Sequence, residues 1–345
     1  GQSESARAAI RSALPSADGA WDAEVFANLV AVSREYDLGL EAELVAATSK
    51  AAQRSPQMAL RHALDAARHG AASSGREALE AAVQRAAPGA EALAWQVALA
   101  QFREAVDDPA AAATWQALGD ANPEDFTVQS LILQSAGSIR DDAEFWARTV
   151  DRVRKLTGED GTLWRVARAR LLLQTADRAG VIHANDPAAA ASARQRDSAE
   201  AVGLLTELVR AAPMVAEYRV LLARAMENLG NDKEAAQQLQ AAVESDPRSV
   251  SVQMELARLL TELGRSGEAR KHLERAADGG AAIQPGQRLP LARMLASVGR
   301  LERAADVLEA GPSPRSLAGD LLLADVYRKL GRESDAAPIY ERLLS

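Results

Sequence analysis

The spacing of glycines and prolines constrains the fold more than any other feature of this sequence. Gly230, Gly264, Gly299 and Gly331 follow one another at intervals of 34, 35 and 32 residues, and Pro247 follows Pro213 by 34. A fixed period of this length predicts an array of repeated units, each of which packs only against its neighbours.

Residues 216–247 contain one complete unit. Its first half places apolar residues at helical spacing, and Gly230 follows where a left-handed C-terminal cap is expected. Its second half begins at Asn231 or Asp232, which are both good N-caps, and ends before Pro247. The sequence therefore predicts two amphipathic helices joined by a tight turn.

This pattern resembles the tetratricopeptide repeat. The leucine-then-small pair of that family is matched by Leu222-Ala223, Leu256-Ala257, Leu291-Ala292 and Leu323-Ala324. The small residue that opens its second helix is matched by Ala111, Ala201, Ala235, Ala269, Ala304 and Ala336, and its terminal proline by Pro123, Pro213 and Pro247. Trp95 and Trp164 stand where the family favours tryptophan. The resemblance implies an all-α, right-handed α-solenoid of about nine helical hairpins that binds protein.

One continuous domain is expected over residues 1–345. A leading helix is predicted over residues 3–14, and residues 20–158 are predicted to hold degenerate and regular repeats, with a turn lengthened by residues 71–75. Residues 161–213 form one repeat with a long insert at 174–197, in which Asp186 and Pro187 begin a short helix before the second helix starts near Ser198. Residues 214–345 hold four regular repeats.

The composition argues against several classes of function. A net charge of −8 gives no basic surface for nucleic acid, and no apolar run is long enough for direct membrane insertion. The absence of cysteine excludes disulfides and thiolate-bound metals. Arginine outnumbers lysine, which is typical of GC-rich bacterial genomes, and both the cytoplasm and the periplasm stay open as compartments.

Motifs for catalysis are absent from the sequence. It contains no phosphate-binding loop, dinucleotide fingerprint, nucleophile elbow or HExxH pair. His62 and His69 are seven residues apart, but solvated helix positions explain them better than a metal site does. His183 in the insert has no designated partner. We therefore expect a non-catalytic protein without cofactors or metals. The tryptophans are interpreted as packing residues: Trp21, Trp95, Trp115, Trp146 and Trp164.

The first helices carry the candidate binding residues, because in tetratricopeptide arrays these helices line a concave groove that holds peptides. That register gives an apolar row of Val220, Met254, Leu289 and Leu321. It gives a second row of Arg224, Arg258, Arg293 and then Asp325, which Arg165 and Arg328 extend. Adjacent arginines favour a partner segment with acidic and hydrophobic residues. Alternatively, the arginines are neutralised: Arg258 by Glu255 or Glu262, Arg224 by Glu227, and Arg293 by Asp325.

The most direct functional interpretation is a non-catalytic protein-interaction scaffold. Two alternatives stay open: a periplasmic scaffold of an envelope or exopolysaccharide export assembly, and an enzyme-accessory or hydrolytic role centred on the insert near His183. The leucines at 343 and 344 further suggest self-association through the C-terminal end.

Overall fold

The computed structural model describes residues 2–13, 29, 32, 33, 35, 36, 38–40, 43, 44, 52–135, 142–311 and 316–344. Within these residues every regular element is helical: seventeen α-helices and one 3-10 turn at Gly280–Ala282. The all-α prediction is confirmed. The chain divides into two compact units, Gly1–Trp164 and Arg165–Ser345.

In the described residues, the first unit contains the leading helix, three hairpins and the start of helix α8, Thr162–Ile182. Its complete helices are α1 Gln2–Ala13, α2 Pro56–Arg68, α3 Ala72–Arg85, α4 Ala90–Ala105, α5 Ala111–Ala121, α6 Phe126–Gln134 and α7 Ala143–Thr157. The degenerate repeat expected from about residue 21 to residue 54 lies mostly outside the described residues. Of it, Leu44 is buried beside Ile10 of α1.

Aromatic side chains fill the interior of this unit. The four tryptophans that the structure describes are all buried, as expected for packing residues: Trp95, Trp115, Trp146 and Trp164. Trp21 lies outside the described residues. The Trp115 indole nitrogen donates to Glu104 at 3.2 Å, and that of Trp164 donates to the Gly158 carbonyl at 3.0 Å. Each of these two large rings is therefore buried without losing a partner for its polar atom.

The predicted long turn at residues 71–75 is wrong. Helix α3 already begins at Ala72, so four of those five residues form its first turn. Gly75 lies against α2, where a Cβ atom would come within 2.9 Å of the Ala63 side chain and 3.0 Å of its backbone. The glycine thus serves close helix packing and is not part of a turn.

The second unit consists of five hairpins. Its helices are α8 Thr162–Ile182, which begins in the first unit, α9 Pro187–Ala211, α10 Ala216–Asn228, α11 Asp232–Ser245, α12 Val250–Glu262, α13 Ser266–Ala277, α14 Pro285–Ser297, α15 Leu301–Glu309, α16 Leu317–Lys329 and α17 Glu333–Leu344. We call α8, α10, α12, α14 and α16 the first helices and their successors the second helices. Alanine and leucine dominate the buried core between them.

The periodic glycines end four of the first helices in the same way. Gly230, Gly264, Gly299 and Gly331 have φ between 72° and 77°, a left-handed conformation that side chains disfavour. At the first of them, the Asn231 amide donates to the Met226 carbonyl and the Gly230 amide donates to that of Glu227, both at 2.9 Å. This is a Schellman cap, and its repetition explains the period of the sequence.

The expected insert at residues 174–197 is instead a lengthening of two helices. Asp186 is an N-cap whose carboxylate accepts from the Ala189 amide at 2.9 Å, and Pro187 follows at the first helical position. The helix that starts there continues through Ser198 to Ala211, so no separate short helix exists. Helices α8 and α9 have 21 and 25 residues, whereas α10 and α11 have 13 and 14. A helix therefore begins at Asp186 and Pro187 as predicted, but nothing in residues 188–197 ends it.

The fourth residue of each first helix bonds to the second helix of its own hairpin. Gln253 in α12 is the clearest case: its amide oxygen lies 2.7 Å from His272 Nδ1, and its nitrogen donates to the Pro247 carbonyl at 2.9 Å. Equivalent contacts join Arg165 to Glu207, Arg219 to Gln238, Arg288 to the Val307 carbonyl and Asp320 to Arg342. These polar contacts fix each hairpin internally.

Candidate functional site

The predicted rows occupy identical positions on four successive first helices. Val220, Met254, Leu289 and Leu321 are the fifth residues of α10, α12, α14 and α16, and Arg224, Arg258, Arg293 and Asp325 are the ninth. Residues four apart lie on the same helix face. We call these eight residues the first-helix surface. Three of the apolar members are partly buried against the core, whereas Leu321 is 48% exposed.

A cavity of about 410 Å³ opens between α10 and α12. It brings together three predicted residues, Val220, Arg224 and Arg258. Its walls also include Leu221, Asn228 and Leu239, which the prediction did not place at the site, and Glu227 and Glu255, which it named as possible partners of the arginines. The cavity is therefore lined by apolar side chains together with charged groups of both signs.

Arg258 is fully engaged by three carboxylates. Its Nε donates to Glu255 at 3.2 Å, its Nη1 to Glu262 at 2.9 Å and its Nη2 to Glu227 at 2.6 Å. The last contact crosses from α12 to α10 and involves a glutamate side chain that is only 16% exposed. Every nitrogen of this guanidinium is thus already bonded, as the alternative of neutralised arginines anticipated for Glu255 and Glu262.

The pKa shifts of this cluster follow from burial and from the excess of carboxylates. Burial raises the pKa of Glu227, and the negative charges of Glu255 and Glu262 raise it further against the opposing effect of Arg258. Burial acts to lower the pKa of the Arg258 guanidinium, but its hydrogen bonds and charge interactions with the glutamates outweigh this effect and raise it. Three carboxylates therefore share one guanidinium.

Arg224 is paired with the lengthened helix α8. Its Nη2 contacts Asp177, whose other oxygen accepts from Asn228 at 3.4 Å. Asp177 lies beyond residue 174, where a first helix of regular length would end, so the lengthening of α8 supplies this partner. The expected Arg224–Glu227 pair does not form, because Glu227 is bonded to Arg258 instead.

Arg165 and Arg328 do not extend the row of ninth residues. Arg165 is the fourth residue of α8, and its guanidinium lies 3.5 Å from Glu207 on the second helix of its own hairpin. The ninth residue of α8 is Arg170, which the sequence prediction missed and which contacts Glu217 of α10. Arg328 is exposed on α16 and pairs with Asp325 at 2.7 Å.

Arg293 differs from the other two arginines of the row. It is exposed, and among the residues that the structure describes it has no ion-pair or hydrogen-bond partner. The expected pair with Asp325 does not form, because that carboxylate is bonded at 2.7 Å to both Arg328 and Lys329. These two hydrogen bonds, led by that of Lys329, lower the pKa of Asp325.

The histidines show no catalytic arrangement in the described part of the chain. His62 and His69 are exposed, and His69 Nδ1 lies 2.8 Å from the Asp65 carbonyl. His183 lies in the four-residue turn between α8 and α9. No group of three or more histidine, aspartate or glutamate side chains suited to a metal ion occurs among the described residues. Of the helices described, none combines the length and apolarity needed to span a membrane.

Comparison with known families decides the identity of the repeats. Residues 188–250 and 228–288 match one model of the tetratricopeptide repeat, and residues 321–345 match another. Residues 188–288 and 321–345 are tetratricopeptide repeats. The matches to the first model cover α10 to α13 and nearly all of α9, and the match to the second covers α17 and most of α16. Three of the four helices that carry the first-helix surface, α10, α12 and α16, therefore belong to matched repeats. No curated protein sequence matches the chain.

Several solved structures are similar to this chain at low sequence identity. A tetratricopeptide repeat protein from Parabacteroides merdae is 12% identical, with a TM-score of 0.50 over 79% of this chain and 99% of its own. The assembly chaperone of RpL4 is 17% identical with a TM-score of 0.41 over 82% and 99%, and MamA from Desulfovibrio magneticus RS-1 is 16% identical with a TM-score of 0.41 over 57% and 98%. At these identities the similarity concerns the fold alone.

Proposed function

We propose that this tetratricopeptide-repeat protein is a non-catalytic scaffold that binds a segment of a partner protein on its first-helix surface. The observation that carries the proposal is the repetition of that surface: the same two helical positions recur on α10, α12, α14 and α16. A single exposed leucine or arginine needs no explanation, but a register kept over four helices presents a continuous strip to an elongated ligand.

The chemistry of the strip favours a peptide over a small molecule. Its apolar members recur at the same position on successive first helices, and Leu321 leaves about half of its surface in contact with water. The cavity beside Val220 is open and mixed in polarity, whereas small-molecule sites are mostly enclosed and apolar. An extended segment can place one side chain in the cavity and others along the strip.

The proposal can be tested by site-specific crosslinking, since the chain contains no cysteine. Arg293→Cys and Leu321→Cys place one thiol each on the first-helix surface, and Gln240→Cys places one on the exposed side of second helix α11 as the matched control. Each variant is labelled with a benzophenone maleimide and irradiated in lysate of the source cell.

We expect the two first-helix variants to crosslink a common protein that the Gln240→Cys variant does not. Unchanged helical circular dichroism and an unchanged melting temperature would show that all three variants are folded. The same crosslinked proteins from all three positions, or none from Arg293→Cys and Leu321→Cys, would contradict the proposal.

A further inference from the structure

Along the first-helix surface, negative charge exceeds positive charge at α10 and α12, and positive charge exceeds negative charge at α14 and α16. The sequence explains why: Arg258 has Glu255 three residues before it and Glu262 four residues after it, whereas Pro290 and Ser297 hold the same positions around Arg293. Glu227, the twelfth residue of α10, reaches across to Arg258 at 2.6 Å. The equivalent residue of α12 is Thr261, whose hydroxyl donates to the Ala257 carbonyl. Arg293 is therefore left without the acidic neighbours that Arg258 has.

The end of the surface at α10 and α12 has an excess of acceptors. Arg224 and Arg258 face the carboxylates of Asp177, Glu227, Glu255 and Glu262. Each of the three glutamates uses one oxygen on Arg258, and the second oxygen has no hydrogen bond to any described residue. A carboxylate of a partner would have to displace a glutamate from Arg258. A cationic group of a partner could instead bind the second oxygens of these glutamates.

The end of the surface at α14 and α16 has the opposite balance. Arg293, Arg328 and Lys329 are exposed cations, and among the described residues the one carboxylate at this end, Asp325, pairs with Arg328 and Lys329 but not with Arg293. Arg293 retains the donors of a whole guanidinium, which matches a carboxylate in geometry and charge. Exposed Leu321 lies on the neighbouring helix.

We propose that the first-helix surface binds a segment that carries a basic and an acidic residue about three positions apart. The lysine or arginine enters the cavity, where its aliphatic stem lies on Val220 and its charged head meets Glu255. Glu262, which binds Arg258 from outside the cavity lining, adds to the negative charge there. The aspartate or glutamate pairs with Arg293. This inference rests on the proposed function and specifies the partner that the surface accepts.

The spacing follows from the distance between the helices. Helices α12 and α14 contact each other, and packed helices lie roughly 8–10 Å apart. A segment in the polyproline II conformation rises about 3.1 Å per residue with three residues per turn, so residues three apart face the same side about 9 Å from each other. Such a segment presents both charges to the protein at the required separation.

A displayed library of random peptides, panned on the full chain, tests the inference. We expect enriched sequences to combine a basic and an acidic residue about three positions apart. On Glu255→Gln/Glu262→Gln the basic residue is expected to lose its enrichment, and on Arg293→Gln the acidic residue. The strongest peptide, synthesised with a fluorescent label, should bind each variant about tenfold more weakly, which corresponds to the loss of one charged hydrogen bond.

Matched controls separate this pattern from a general effect of charge. Glu268→Gln and Arg270→Gln remove one charge of each sign from exposed positions on second helix α13 and are expected to leave both preferences unchanged. Enriched peptides that are acidic at both positions, or preferences that persist in the first-helix variants, would overturn the inference but leave the proposed function standing. Failure to enrich any peptide on the full chain would count against both.

Discussion

Replacement of Gln253 by methionine should destabilise the second unit. The side chain is 2% exposed and bonds to His272 and to the Pro247 carbonyl. Methionine keeps the volume and the helical propensity, so the change removes two hydrogen bonds and little packing. The imidazole nitrogen is left buried without its acceptor, at a cost of about 1–3 kcal/mol, while the partly buried carbonyl adds about 0.5–1.5 kcal/mol because water can reach it. We expect a loss of about 3 kcal/mol.

The assay is urea unfolding followed by far-ultraviolet circular dichroism, which reports on all helices. The matched control is Gln240→Met, which makes the same substitution at an exposed position of α11 and should change the free energy of unfolding by less than about 0.5 kcal/mol. The denaturant dependence should stay unchanged in both variants. A loss of less than about 0.5 kcal/mol for Gln253→Met would refute the argument that buried polar contacts at the fourth position hold each hairpin together.

Three further predictions concern other parts of the molecule. Burial, aided by the charges of Arg275 and Lys271, lowers the pKa of His272. The stability that this residue contributes is therefore present above its ordinary pKa of about 6.5 and is lost as the pH falls through the lower pKa of the folded state. NMR titration should show the lowered pKa, and an unshifted pKa would contradict the burial argument. Gly75→Ala should destabilise the protein by about 1–3 kcal/mol because the added Cβ meets Ala63. Gly203→Ala on α9 adds a Cβ in open space and should stabilise the protein by about 0.5–1 kcal/mol. Melting temperatures that change in the same direction in both variants would contradict this. Asp186→Ala should cost about 1 kcal/mol and speed hydrogen exchange in the first turns of α9, and unchanged exchange there would mean that the cap does not hold the helix end.

The sequence predicted the helical repeat well because its signals are local. Each periodic glycine ends a helix through bonds within five residues of itself, so its position alone indicates the architecture. The N-cap at Asp186 was recognised for the same reason. The prediction failed where local signals were ambiguous. Gly75 serves a contact with α2 and does not mark a turn. Residues 187–198 are the first half of α9, which is longer than the helix that a regular repeat would contain.

The register of the first-helix surface was predictable from the sequence, but its charge was not. Counting helical positions was enough to place Val220, Arg224 and Arg258 around one cavity. The sequence also contained the glutamates on either side of Arg258, and the alternative of neutralised arginines used them. The pairs that cross between helices were not predictable, because Glu227–Arg258 and Asp177–Arg224 depend on how neighbouring hairpins stack and on how far α8 extends. The error with Arg165 came from the start of α8, which makes Arg170 the ninth residue.

Methyl NMR on the methionines would test most directly the proposal that a partner segment binds to the first-helix surface. The chain has five methionines, of which Met254 lies on the first-helix surface, Met58 is buried in the first unit and Met214 is exposed in the turn before α10. The strongest displayed peptide is added to full-length protein labelled with ¹³C at the methionine methyl groups. If a partner segment binds along the first-helix surface, the Met254 resonance shifts in proportion to bound peptide, while those of Met58 and Met214 stay in place. A shift at Met214 or Met58 with Met254 unmoved would show that the peptide binds elsewhere and would contradict the account.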